Sequence, residues 1–135
     1  QPTLFHADKN MIKMLTRSKH IGYICTASST DNGKTWTQAS PINLPNPNSG
    51  IDAIRLEDGR ILLVYNHSQS NRTPLNIALS YNGGESWGMA LTLEDEGGSY
   101  SYPAVIQTED SLVHITYSWN GTKIKHVSID PLLLK

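Results

Sequence analysis

Two arginines and a scattered set of polar and aromatic residues are the parts of this chain that could do chemistry. Arg17 and Arg72 each carry a planar guanidinium whose paired N–H donors match a carboxylate. Tyr100 and Tyr102 offer aromatic rings that can pack on sugar faces, and Asp52, Asn66 and His67 offer hydrogen-bonding groups. Together these types suit an acidic, hydroxylated ligand. The five histidines show no metal-ligand spacing, so neither a metal nor a cofactor is expected. The chemistry therefore depends on a fold that gathers residues spread along most of the chain.

The elements that could gather them are strands. Short β-rich runs are punctuated by Gly, Asn, Asp and Pro, and no segment keeps apolar residues at helical spacing for three turns. The stretch STDNGKTW, from Ser29 to Trp36, returns as SYNGGESW, from Ser80 to Trp87, 51 residues later. A repeat of this length with strands on both sides reads as a four-stranded antiparallel meander, several of which fan out radially in a β-propeller. The runs divide into three units, at about residues 1–47, 48–98 and 99–135. The first two each gain a fourth strand after their tryptophan, near Thr37–Ile42 and Gly88–Leu93, and the third stops short of one. The fold class is thus all-β: a partial propeller of about three blades, completed by oligomerisation or by a missing part of the chain. The simplest closure is a homodimer of three blades each.

Within this frame the repeated stretch is a turn between the third and fourth strands. Asp31 is expected to accept hydrogen bonds from N–H groups two or three residues on, and Gly33 to supply a conformation that a Cβ opposes. Ser29 and Thr35 can bond the neighbouring backbone, and Trp36 is expected to start the fourth strand and fold its ring between sheets. In the second copy Ser80, Asn82, Gly84, Ser86 and Trp87 take the same places; asparagine keeps an acceptor oxygen and loses the charge. These are structural residues. The opposite rim, where first strands begin and second strands end, collects Gln1, Asn48, Asp52, Tyr100 and Tyr102 with Arg17, Lys19, His20, Asn66, His67, Arg72 and Tyr117. Tyr117 falls within a strand and reads as core rather than ligand, both arginines read equally as surface and site residues, and Glu94-Asp95-Glu96 reads as a solvated loop.

Composition narrows the partners. Net charge is −1, which gives no electrostatic footprint for nucleic acid or an anionic membrane. The longest apolar run, Ile61–Val64, is far too short to span a bilayer. Cys25 stands alone, so no internal disulfide can form. The first residue is Gln1 rather than Met, which points to sequence removed upstream. The compartment stays open between secretion and the cytoplasm.

STDNGKTW resembles the Asp-box, or bacterial neuraminidase repeat, of sialidases, and SYNGGESW resembles a second copy. The stretches LPNPNSGIDAIRLEDGRILLVYNHS, NRTPLNIALSYNGGESW and SYSYPAVIQTEDSLVHITYSWNGTKIKHV are similar to the C-terminal half of sialidase-like six-bladed propellers. That resemblance implies a tyrosine nucleophile activated by a glutamate, three arginines on the substrate carboxylate and an aspartate as acid. Carried onto this sequence, it implies Tyr102 as the candidate nucleophile and Arg17 and Arg72 as two of the arginines. The position of the glutamate falls on Gln1. Glutamine cannot take a proton, and a phenol with a pKa near 10 is a poor nucleophile at neutral pH without a base. The first arginine and the aspartate belong to earlier blades. The resemblance therefore implies a sialidase-superfamily, glycan-active protein with a carboxylate and sugar pocket but incomplete sialidase chemistry, the activity being exo-glycosidase if present. The alternatives are a non-catalytic glycan- or protein-binding module and a fragment without present function.

Overall fold

The computed structural model describes residues 1–135 and contains eleven strands and no α-helix. The first sheet is built in order from β1 (Pro2–Asp8), β2 (Met11–Thr16), β3 (Tyr23–Ser29) and β4 (Ser40–Pro45). The second follows with β5 (Asp52–Arg55), β6 (Ile61–Asn66), β7 (Leu75–Ser80) and β8 (Gly88–Glu94). The third holds β9 (Tyr100–Gln107), β10 (Val113–Trp119) and β11 (Lys123–Ile129). Every pairing is antiparallel between consecutive strands. A short 3-10 turn, Pro131–Leu133, ends the chain, and no helix is long and apolar enough to cross a membrane.

The sheets stack face to face, and burial follows from that. In β6 and β7 every residue is buried, because the second sheet is covered on both faces. β6 accordingly reads as a nearly continuous apolar run, ILLVYN, while β1 and β9 alternate. One core lies between the first and second sheets, with Phe5, Leu15 and Ile24 against Ile61, Leu63 and Tyr65. The other lies between the second and third, with Leu62, Val64 and Ile77 against Val105, Val113, Ile115 and Tyr117. The innermost strands β1, β5 and β9 are neighbours across the stack. Asp52 ties all three together: Oδ1 accepts from Thr3 Oγ1 at 3.0 Å and Oδ2 from Val105 N–H at 2.9 Å. This is the arrangement of successive blades around an axis.

Both repeated turns are closed by side chains. Asp31 accepts from Ser29 Oγ at 2.8 Å, Thr35 N–H at 2.8 Å and Thr35 Oγ1 at 2.5 Å. Asn82 accepts from Ser86 N–H at 3.0 Å and donates Nδ2 to Ser86 Oγ at 2.8 Å. The main accepted backbone N–H is thus four residues on, with the Lys34 N–H, three residues after Asp31, adding a weaker contribution. Ser29 and Ser80 each accept from a glycine N–H, Gly33 at 2.9 Å and Gly84 at 2.8 Å. Trp87 packs edge-on against Phe5 of the first sheet, with ring centroids 6.4 Å apart. Trp36 has no sheet on that side and donates to Gly33 O at 3.1 Å.

Two local expectations are corrected. Trp36 does not start the fourth strand, which begins at Ser40 rather than Thr37. Thr37 Oγ1 instead accepts from Ser28 N–H at 2.9 Å, taking a donor the ladder would have used. Glu94 is no free loop residue: it ends β8, accepts from Tyr117 O–H at 2.6 Å and pairs with Lys125.

Candidate functional site

Gln1, Arg17, Asn48, Gly50, Arg72 and Tyr102 meet at one rim, and each is brought there by the end of a strand. Arg17 follows β2 immediately. Its Nε donates to Asn48 Oδ1 at 3.0 Å, its Nη2 to the Asn48 carbonyl and its Nη1 to Gln1 Oε1 at 2.8 Å. Asn48 lies in the connection from β4 to β5, at the turn signal PNPNSG, with a left-handed φ of 58°. Asparagine tolerates that region better than most residues. Sequence reasoning placed Asn48 on the rim but gave it no role; the structure makes it the chief anchor of Arg17.

Tyr102 sits on β9 at an irregularity, where the register with β10 shifts between Thr116 and Ser118. Its φ is 53°, a costly conformation for a tyrosine that local structure must impose. The ring stays half exposed beside Gly50, where a Cβ would stand 3.4 Å from Tyr102 Cδ1 and from the Gln1 amide. Arg72 comes from the connection between β6 and β7, which is tied to β9 by Tyr100 N–H donating to Arg72 O at 2.7 Å. Its guanidinium carbon lies 5.2 Å from the Tyr102 ring centroid. Hydrogen bonding and charge from Arg72, then from Arg17, pull the Tyr102 phenol below its usual pKa.

The electrostatics of this rim are unbalanced. The chain has three salt bridges, Lys13–Glu85, Arg60–Asp58 and Lys125–Glu94. Neither Arg17 nor Arg72 takes part in one. Two guanidiniums thus converge on one phenol with no salt-bridge partner in this chain, and guanidinium N–H pairs are the donors that match an anion. The nearby Gln1 presents an amide, whose Oε1 accepts from Arg17 Nη1.

The remaining expected contact residues are placed differently. Asn66 is 0% exposed; its Oδ1 accepts from Ser49 Oγ at 2.7 Å, and its Nδ2 donates to Pro74 O and Tyr100 O, both at 3.0 Å. Tyr100 is 2% exposed, packs against Trp119 and belongs to the core between the second and third sheets. Neither side chain is open to a ligand, because the neighbouring sheet covers it. Asp52 is half buried with both oxygens engaged between sheets. His67 is exposed, with Nδ1 2.5 Å from the hydroxyl of Tyr65, whose pKa burial raises to about 12.

The fold and the repeated turns define a segment of a sialidase-like propeller. The chain belongs to the BNR repeat-like domain family, whose model matches residues 1–115. Solved structures agree on the fold. An intramolecular trans-sialidase from Ruminococcus gnavus, in complex with oseltamivir carboxylate, matches with a TM-score of 0.82 at 18% identity, over 99% of this chain and 33% of that one. The leech intramolecular trans-sialidase, complexed with 2,7-anhydro-Neu5Ac, matches with a TM-score of 0.81 at 16% identity, over 98% and 24%. A Hadza microbial sialidase matches with a TM-score of 0.80 at 19% identity, over 100% and 28%. The chain therefore spans a third or less of the length of these relatives. No curated protein matches it in sequence.

Proposed function

We propose that this chain forms part of a glycan-active protein of the sialidase superfamily, with an acidic sugar held at the rim of Gln1, Arg17, Arg72 and Tyr102. The observation that carries the reading is the pair of guanidiniums beside Tyr102 with no carboxylate to neutralise them. A sugar carboxylate would supply the missing charge, and the half-exposed tyrosine ring would meet the sugar. The named ligands of the solved relatives, oseltamivir carboxylate and 2,7-anhydro-Neu5Ac, support this class of ligand. In catalysis Tyr102 would be the nucleophile, its phenolate favoured by Arg72 and Arg17.

A second reading, a binding module without turnover, is favoured by Gln1. An amide at that place holds Arg17 but accepts no proton. Hydrolysis of a fluorogenic sialoside, with other glycosides alongside, separates the two. Turnover that Tyr102→Phe abolishes supports the enzyme; glycan-array binding without turnover supports the module; neither turnover nor binding refutes both. The outer faces of the stack need cover in either case, since Ile106 is 58% and Ile124 69% exposed on the third sheet. A second copy completing the ring, or further sequence of the same protein, would supply it. Sedimentation of this chain as a compact monomer at all concentrations would rule out the second copy.

A further inference from the structure

His114 and His126 are 12 residues apart in sequence and meet on the open face of the third sheet. On β10 His114 alternates with the buried Val113 and Ile115, so it points away from the core. Register sets Thr116 opposite His126 and Ser128 opposite His114, so the two imidazoles lie diagonally across the strand pair, on one face. His114 Nδ1 and His126 Nε2 are 2.9 Å apart, while the ring centroids are 5.2 Å apart and the planes within 5° of parallel. The rings therefore meet edge to edge, nitrogen toward nitrogen, rather than face to face. Neutral imidazoles hold this contact only if one donates and the other accepts; two facing lone pairs need a proton or another cation between them. The far nitrogens, His114 Nε2 and His126 Nδ1, make no hydrogen bond within the chain and are free to carry the ring protons.

We propose that His114 and His126 bind a divalent transition-metal ion of the Cu²⁺ or Ni²⁺ kind, which takes the place of the shared proton. Imidazole nitrogens bound at about 2.0–2.1 Å in adjacent corners of a square or octahedron stand about 2.9 Å apart, and in a tetrahedron about 3.3 Å apart. The spacing of this pair is the first of these, the geometry that Cu²⁺ and Ni²⁺ prefer, and copper is the tighter binder of the two. Each ring has only to turn about its Cβ–Cγ bond, a soft torsion in histidine, to aim its lone pair at the ion. Water completes the coordination. Asp110 is close enough that the charge of His114, after the Thr108 hydroxyl and the Leu112 N–H, helps to lower its carboxyl pKa, and a carboxylate close by favours a cation. The ion would also staple the last strand, because β11 is an edge strand that pairs with β10 alone. Sequence spacing hides this site; only the register of β10 and β11 brings its two ligands together.

The test titrates this chain with Cu²⁺ by isothermal calorimetry and records the electron paramagnetic resonance of the loaded protein. One ion per chain is expected at this site, with two imidazole nitrogens coordinated, and saturation is expected to raise the urea midpoint. His114→Ala and His126→Ala are each expected to weaken binding at least about tenfold, the loss that even an outer partner of a metal ligand can cause. The double variant is expected to bind no worse than either single one, since a chelating pair is lost with its first member. His6→Ala, an exposed histidine on the first sheet, is expected to bind as the wild type does. Cu²⁺ binding at wild-type strength in either single variant, a resonance with fewer than two imidazole nitrogens, or no binding by the wild type overturns the site. The resonance is read on the unmodified chain, so it decides the matter even where a variant fails to fold.

Discussion

Asp52 offers the sharpest test of how the sheets are joined. Its two carboxylate oxygens accept from Thr3 Oγ1 and Val105 N–H, on the sheets to either side. Asp52→Ala removes both acceptors. Val105 is 3% exposed, so water cannot replace the lost partner of its N–H. A buried donor left unsatisfied costs about 1–3 kcal/mol. Thr3 suffers less, because its hydroxyl still has the Ala53 carbonyl at 3.4 Å; its loss is about 0.5–1 kcal/mol. The sum is about 1.5–4 kcal/mol, which at a urea slope of about 2 kcal/mol per molar lowers the midpoint by about 1–2 M. Asp52→Asn should cost about 1 kcal/mol or less. Its Oδ1 can serve Val105 N–H while its Nδ2 donates to Thr3 Oγ1. Urea unfolding followed by tryptophan fluorescence reads both variants. An Asp52→Ala midpoint within about 0.3 M of wild type refutes the inter-sheet role. Loss of glycan binding in that same stable variant would return Asp52 to the ligand.

The other predictions concern charge. Lys13 is buried against the exposed Glu85, so Glu85→Ala should cost about 1–2 kcal/mol by stranding the ammonium, whereas Lys13→Met should stay within about 1 kcal/mol of wild type. Equal losses in denaturant melts would contradict a stranded charge. Hydrogen bonds from the Thr35 hydroxyl and N–H, with that from Ser29, lower the Asp31 pKa from 3.8 to about 2. A depressed carboxylate adds stability that is fully present above the unfolded pKa, near 3.9, and is lost as pH falls toward 2. Asp31→Asn should therefore flatten the pH dependence of stability between about 4 and 2, and an unchanged slope would count against the turn as its source. Arg72→Ala should raise the pKa of the Tyr102 phenol, read by ultraviolet titration against Tyr102→Phe, because the guanidinium favours the phenolate; a lowered or unmoved pKa refutes that coupling.

The all-β class and the turns were legible because their causes are local. Strands show as short β-rich runs, and Asn-Gly and Gly-Gly pairs mark where the chain must take left-handed φ, as at Asn32, Gly33, Gly83 and Gly84. The fate of individual side chains was less legible, because it is decided by the sheet next door. Nothing within YNHS says that Asn66 is roofed by Tyr100 of another sheet, and nothing near Tyr100 says that it closes into a core shared with Leu62, Val64 and Leu75 of the second sheet. Lys13 is the clearest case. A lysine in a strand reads as a solvated position, yet the second repeated turn covers it and supplies Glu85. The first turn carries Lys34 in the place of Glu85, a reversal of charge that the turn itself tolerates.

The seams between sheets also explain why the rim is where it is. Arg17 belongs to the first sheet, but its anchor Asn48 lies in the connection to the second. Arg72 belongs to the second, yet its carbonyl is held by Tyr100 of the third, two residues before Tyr102. No single sheet contains the pair of guanidiniums and the phenol; each residue is positioned by an end that two sheets share. Such a site forms only when the stack does, so whatever loosens the seam at Asp52 must also spread Arg17, Arg72 and Tyr102 apart. Asp52→Ala at moderate urea, still folded, should therefore raise the Tyr102 pKa toward its ordinary value before global unfolding. The same residues on one continuous strand would show no such lag.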